Sequence, residues 1–319
     1  MLDRQLVEDV ARRLRPGCEA LIEKDWHVVR AIGTLATLDH GYARPVFSGG
    51  TSLSVGWGLI KRFSEDIDFK VAMPEPATSS QARTRRSAYR EKILTALIDA
   101  GFELIGKPYC RNQSSFFSAD LAYPSTFDRT PGLRPHLRIE MTFQPPALPS
   151  VERPIRSLIA RAQKGAAEVP AFPCVDPVET AADKLSALAW RVCIRIRGAK
   201  NDDPTVIRHL HDLAALEPSV ANAPAFNKLL WSAVESDTGR GGEGVPVSPT
   251  ERFAFMLNRL TTDTAWERDY ENYVQSVSFA MPDEMISFSN ALAATKRLIS
   301  QTSDKMTRAG ALQLEDAIA

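Results

Sequence analysis

Between residues 47 and 69 the chain reads Phe47-Ser-Gly-Gly-Thr-Ser-Leu53, a helix-like run to Phe63, and then Ser64-Glu-Asp-Ile-Asp-Phe69. Few folds accommodate that order, which is strand, tight glycine turn, helix, strand. Gly49 and Gly50 lack a Cβ, so backbone can approach a ligand closely there, and the N–H groups at the helix start favour an anion such as a triphosphate. Ser48, Thr51 and Ser52 place hydroxyls beside that turn. In Asp66-Ile67-Asp68 the strand period of two sets both carboxylates on one face and turns Ile67 into the core. Two hard oxygen ligands side by side suit Mg²⁺ or Mn²⁺, which would also hold the phosphates of a nucleotide. A paired glycine alone is commonly just a turn, and a D-x-D alone a solvated strand edge; their succession carries the reading.

The rest of the chain supplies the frame. At 319 residues, 44% hydrophobic and 24% charged, it can bury a sizeable core and is neither disordered nor collagen-like. Lys plus Arg equals Asp plus Glu at 39 each, so any basic surface for nucleic acid must be local. Apolar stretches such as Ala187 to Trp190 and Ala291 to Ala294 fall far short of the ~20 residues of a membrane span. The opening MLDRQLVEDVARRLRP lacks the order of a signal peptide, so a cytoplasmic location is expected. Cys18, Cys110, Cys174 and Cys193 form no CxxC pair and read as reduced thiols, and the five histidines show no zinc spacing.

Alternation predicts strands around Pro45 to Phe47, Ile67 to Val71, Phe116 to Leu121 and Leu137 to Phe143, with a helix from about Ser80 to Ala100 that stops at Gly101. The Pro-rich stretch 144–149 then suggests a division into domains 1–150 and 151–319, the second mainly helical. Helix starts follow at Asp176-Pro177-Val178-Glu179, Asp203-Pro204 and Ser248-Pro249-Thr250-Glu251. Further helices are expected at about 223–235, 265–277 and 282–300, with a weakly packed tail from about Ser303. The Gly-rich segment 239–244 has no strand before it and no Lys-Ser/Thr after it, and reads as a loop.

The pattern GG, helix, D-h-D resembles the polymerase β-type nucleotidyltransferase superfamily. Within it, the wording GGTSLSVGWGLIKRFSEDIDF and its long spacing are similar to the AbiEii-type toxins, which include the MenT-type toxins of mycobacteria. Three more segments fit that branch. Ile22-Glu-Lys-Asp-Trp-His27 is similar to its N-terminal EKD-aromatic motif. Asp176 to Leu185 resembles its lysine-bearing helix, with Lys184 at the motif position. Arg208-His-Leu-His-Asp-Leu213 resembles its RDxYDL motif, with Asp212 at the second Asp and histidines in place of the usual Asp and aromatic residue.

The resemblance implies an α+β fold: a mixed sheet flanked by helices as the nucleotidyltransferase core, with a helical C-terminal domain. It implies transfer of NMP from an NTP to an acceptor hydroxyl, with Asp66 and Asp68 on the metal and Ser48, Gly49, Gly50, Thr51, Ser52, Lys184 and Arg191 around the triphosphate. Read alone, Lys184 is an exposed helix lysine, but Arg191 and Arg195 share its face and make a basic stripe. Glu140 either completes the metal site, serves as base, or is a solvated strand residue; Asp212 is catalytic or a partner of Arg208. The resemblance further implies the 3′ end of tRNA as acceptor, a bacterial toxin role and a separate antitoxin. Nucleotidylation of a protein or small molecule, or a nucleotide-binding regulator without turnover, are the rivals. An RNA-binding patch would draw on Arg83, Arg85, Arg86, Arg90 and Lys92 with the Arg191 stripe.

Overall fold

The computed structural model describes residues 2–76, 78–112, 114–128, 133–200, 202–242 and 244–302. The tail expected from Ser303 lies outside the described residues. Contacts divide the chain into one unit of Met1–Asp176 with Val277–Ala280, and another of Pro177–Ser276 with Met281 onward.

The first unit is built on seven strands, β1 (Arg44–Ser48), β2 (Asp66–Ala72), β3 (Glu103–Arg111), β4 (Phe116–Ala122), β5 (Leu137–Thr142), β6 (Val151–Ile155) and β7 (Val169–Cys174). They lie side by side in the order β3-β4-β5-β2-β1-β7-β6. The β2–β5 and β1–β7 pairs are parallel and the others antiparallel, so the sheet is mixed. In β2, β4 and β5 burial alternates strictly. Ile67, Phe69, Phe117, Ala119, Ile139 and Met141 form one face and pack with Tyr89, Ile93 and Leu97 of α4 (Ser79–Asp99) and Val28, Ile32 and Leu35 of α2 (Glu19–Ala36). The opposite face carries the polar residues, Asp66 and Asp68 among them.

Helix α4 ends where the glycine stands. Gly101 has φ +88°, its N–H donates to the Ile98 carbonyl, and the next N–H, of Phe102, donates to Leu97; the reversed backbone thereby satisfies two terminal carbonyls. α1 (Arg4–Leu14), whose first N–H groups the Asp3 side chain accepts, packs with Leu21 and Ile22 of α2 and with Leu158 and Ile159 of the short α5 (Leu158–Ala162) in a second cluster.

The sequence places a boundary at 150, whereas the first unit extends to Asp176 because β6 and β7 extend its sheet. Both strands carry proline, VERPI and VPAFPC, which obscures the alternation. Segment 277–280 also joins this unit: Phe63 N–H donates to Val277, and Phe279 N–H to Lys61.

The second unit is helical: α6 (Pro177–Ile194), a 3₁₀ turn (Pro204–Ile207) leading into α7 (Arg208–Val220), α8 (Phe226–Thr238), α9 (Pro249–Thr262), α10 (Ala265–Val277) and a helix described over 288–302. Asp203 and Ser248 cap their helices as their position before proline predicts. Buried Arg252 ties the unit together, its guanidinium donating to the carbonyls of Pro246 and Val234 and to the Thr238 hydroxyl.

Candidate active site

The glycine turn and the carboxylates meet because β1 and β2 are antiparallel neighbours with Ser48 opposite Asp68. Gly49 follows at φ +75°, and a Cβ there would stand 2.9 Å from Cγ of Asp68 and closer still to its Oδ2. The Asp68 carboxylate therefore rests on the Gly49 backbone. At Gly50 a Cβ would come within 2.9 Å of the Arg62 guanidinium and of the Ser64 hydroxyl. Both glycines exist to let side chains in, which is a stricter demand than a turn.

The helical run expected to reach Phe63 is shorter. One turn, α3 (Gly49–Thr51), widens into a π turn over Ser52–Gly56 and stops. Too short for a sizeable macrodipole, it offers local N–H donors instead. Thr51 and Ser52 are buried, and the Thr51 hydroxyl donates to the Asp66 carbonyl. Thr51 thus fixes the turn onto β2, and Ser52 is buried beside it.

Register brings in the third carboxylate. Parallel pairing sets Asp66 opposite Arg138 and Asp68 opposite Glu140. Burial pushes the Glu140 carboxyl above its usual range, the charge of Asp66 adds to the rise, and Arg138, Arg134 and Arg111 oppose it. Arg138 is itself held by Asp120, at 2.7 Å.

Sequence reading did not find the cation beside these acids. Arg134 places Nη2 2.6 Å from Asp66 Oδ1 and Nε 3.0 Å from Glu65 Oε1. Buried Lys24 pairs with Glu65 and donates to the Arg134 carbonyl at 2.8 Å. Burial pushes the Glu65 carboxyl up, but Lys24 and Arg134 outweigh it and hold it below its ordinary value. Glu65 lies inside the quoted motif and was within reach; Arg134 lies 69 positions further on and carries no local signal.

The EKD segment in α2 proves to be a set of ties. Glu23 accepts from the Ser125 hydroxyl and the Thr126 N–H, Lys24 closes the chain just described, and Asp25 accepts the Leu158 N–H at 2.7 Å.

Among the described residues no three His, Cys, Asp or Glu side chains converge as a metal-holding group. Asp66 and Asp68 nevertheless fit Mg²⁺, which is usually held by one or two carboxylates and completed by water and substrate phosphates. A guanidinium already sits at Asp66, a cation where a cation is called for.

In the second unit, Lys184 and Asp212 form a buried ion pair at 2.7 Å, with side-chain exposures of 9% and 0%. This excludes the reading of Lys184 as an exposed helix lysine, and that of Asp212 as a partner of Arg208, which binds Asp203 instead. Arg191 is 3.3 Å from Asp203. Arg195 is buried, bound to Asp202 and Asp269 at 2.6 Å each, and lies over the Trp266 ring. The expected basic stripe is therefore largely neutralised within its own unit. Nor do the α4 arginines serve the site: α4 packs on the face of the sheet opposite the carboxylates.

Among the described residues no helix is long and apolar enough to cross a membrane. The structure is similar to that of MenT4, a nucleotidyltransferase toxin from Mycobacterium tuberculosis H37Rv, with a TM-score of 0.52 and 21% identity over 95% of this chain and 99% of that one. No match is found among curated protein sequences. The family model described as nucleotidyl transferase AbiEii toxin, type IV toxin–antitoxin system, matches residues 35–294 and so spans both units. With the glycine turn, the D-I-D strand and most of the chain within that match, the protein belongs to the AbiEii family and is a nucleotidyltransferase toxin of a type IV toxin–antitoxin system.

Proposed function

We propose that the chain transfers NMP from an NTP to a hydroxyl at the 3′ end of an RNA, tRNA being the acceptor class the family resemblance implies, with Mg²⁺ on Asp66 and Asp68. The observation that carries this is the in-register row Ser48, Asp68, Glu140 beside a glycine turn pressed onto Asp68. When bound, the metal would neutralise phosphate charge and align the α-phosphate. Ser48 and the N–H groups of Gly49 and Gly50 hold the triphosphate. The acceptor oxygen forms its bond to the α-phosphorus as the α–β bond breaks, and pyrophosphate leaves. Glu140 is the group with raised proton affinity next to Asp68, suited to take the acceptor's proton. For Lys184 a triphosphate-binding role is what the family resemblance implies, and within its own unit Asp212 holds its ammonium in place. A cognate antitoxin and a cytoplasmic site of action complete the reading.

The test is incubation with each labelled NTP, Mg²⁺ and cellular RNA or protein. Label should enter RNA with wild type and fall by at least about a hundredfold with Asp66→Ala or Asp68→Ala, the scale of losing a main electrostatic contributor. Label in protein instead, or undiminished transfer by either variant, overturns the assignment.

A further inference from the structure

The catalytic row does not end at Glu140. Ser118 stands opposite Glu140 in β4, and Tyr109 stands opposite Ser118 in β3, so Ser48, Asp68, Glu140, Ser118 and Tyr109 form one line across five strands on one face. The next row adds Phe116 opposite Arg111 on the same face. Tyr109 is 58% exposed, an unusual placement for a large aromatic residue, and its ring meets that of Phe116 edge to face at 6.4 Å. The Arg111 guanidinium lies 4.6 Å from the Phe116 centroid, and its charge reaches Glu140, whose proton affinity it lowers.

β3 is an edge strand, yet it is poorly suited to recruiting another strand. Gly106 at φ +66° and Pro108 sit within a register shift between Ile105 and Tyr109. Such a bulge breaks the ladder and re-aims side chains, and proline removes a donor from it. What this edge offers is its upper face: exposed Tyr109 and Arg111 with half-buried Phe116, in line with the carboxylates. At about 4.8 Å per strand, Tyr109 is roughly 10 Å from Glu140 and roughly 14 Å from Asp68. That is the distance at which the last nucleotides of a strand would lie if its terminal hydroxyl were at Glu140.

We infer that Tyr109, Phe116 and Arg111 form a platform that stacks the unpaired bases preceding the acceptor hydroxyl and holds their phosphates. Aromatic stacking with a nearby cation is the general means of gripping a single strand without reading its sequence. The charge argument agrees, since the α4 arginines lie on the opposite face of the sheet and Arg195 is paired within its own unit. This platform rests on the RNA-acceptor reading but can be tested apart from it.

The experiment measures binding of a short fluorescent single-stranded RNA oligonucleotide to the full chain by anisotropy, with transfer assayed in parallel. Tyr109→Ala should weaken oligonucleotide binding and raise the RNA KM by about 5- to 100-fold, with the KM for NTP unchanged, on the scale of one lost stacking contact. Tyr109→Phe should restore both, whereas a merely structural role for the hydroxyl would leave it as impaired as alanine. Arg111→Ala should weaken binding and flatten its salt dependence, and Arg111→Lys should recover the salt dependence. Tyr109 and Arg111 are exposed, so both alanine variants should fold. If the oligonucleotide does not bind wild type, or binds the Tyr109→Ala, Arg111→Ala double variant equally well, the platform is overturned whatever the transfer assay shows. If binding depends on Tyr109 but label never enters RNA, the platform stands and the transfer reading fails.

Discussion

At the scale of single residues, the site depends on one α-carbon. Gly49 occupies the left-handed region and has the Asp68 carboxylate against it. Gly49→Ala would meet two penalties together: about 1–2 kcal/mol for an L side chain at that φ, and displacement of Asp68 by the new methyl group. Because β1 and β2 are locked by their antiparallel pairing, Asp68 must move rather than the turn. Gly49→Ala should therefore retain cooperative unfolding but lose transfer and bind Mn²⁺ several-fold more weakly, measured by titration calorimetry. Unaltered Mn²⁺ affinity would remove Asp68 from the metal site. Sequence reading placed Gly49 there so that backbone could approach a ligand closely; the structure adds the side chain it admits, which belongs to a residue 19 positions away.

At the scale of elements, helix α2 acts as a fastening bar for the loops around the carboxylates. Its three consecutive charged residues each reach a different segment: 125–127, 65 with 134, and the first residue of α5. Consecutive helix positions point about 100° apart, so an unbroken charged triplet in a buried helix serves three directions at once. Asp25 gives this a measurable signature. Burial pushes its carboxyl from the ordinary 3.8 up to about 7, against the lowering effect of the Leu158 N–H and Arg161. The unfolded chain releases this proton near pH 4 and the folded chain retains it to about pH 7. The folded state thus binds more protons across that window, and the contribution is full below it and lost as pH rises through it. Asp25→Asn keeps an oxygen acceptor but no titration. Relative to this variant, wild type should lose on the order of a few kcal/mol between about pH 4 and pH 7 and nothing further above, read from urea midpoints. Parallel pH profiles of the two proteins would show that Asp25 does not titrate in this range.

At the scale of the whole molecule, the two units set different requirements for the residues a family motif singles out. Lys184 and Asp212 are buried against each other, so Lys184→Ala removes the ammonium from a buried carboxylate and should destabilise the helical unit by about 3–5 kcal/mol, far more than an exposed lysine would. Lys184→Met combined with Asp212→Leu should recover most of that stability without recovering transfer. Were the double variant as unstable as the single one, the pair would be part of a larger polar network, and were it active, Lys184 would have no role in the chemistry. Loss of activity in Lys184→Ala alone does not separate these effects. The sequence by itself determined the order strand, glycine turn, helix, carboxylate strand and the capped helices of the second half, because these rest on local conformational demands and short periodicities; the α+β class came with the family resemblance, and the helix proved shorter than expected. Only the tertiary structure decided that Glu140 lies level with Asp68, that Arg134 sits on Asp66, that Arg195 is neutralised within its own unit and that the α4 arginines are on the wrong face. Those facts follow from strand register and from which face each helix covers, and both are settled by packing between segments tens of residues apart rather than by any local pattern.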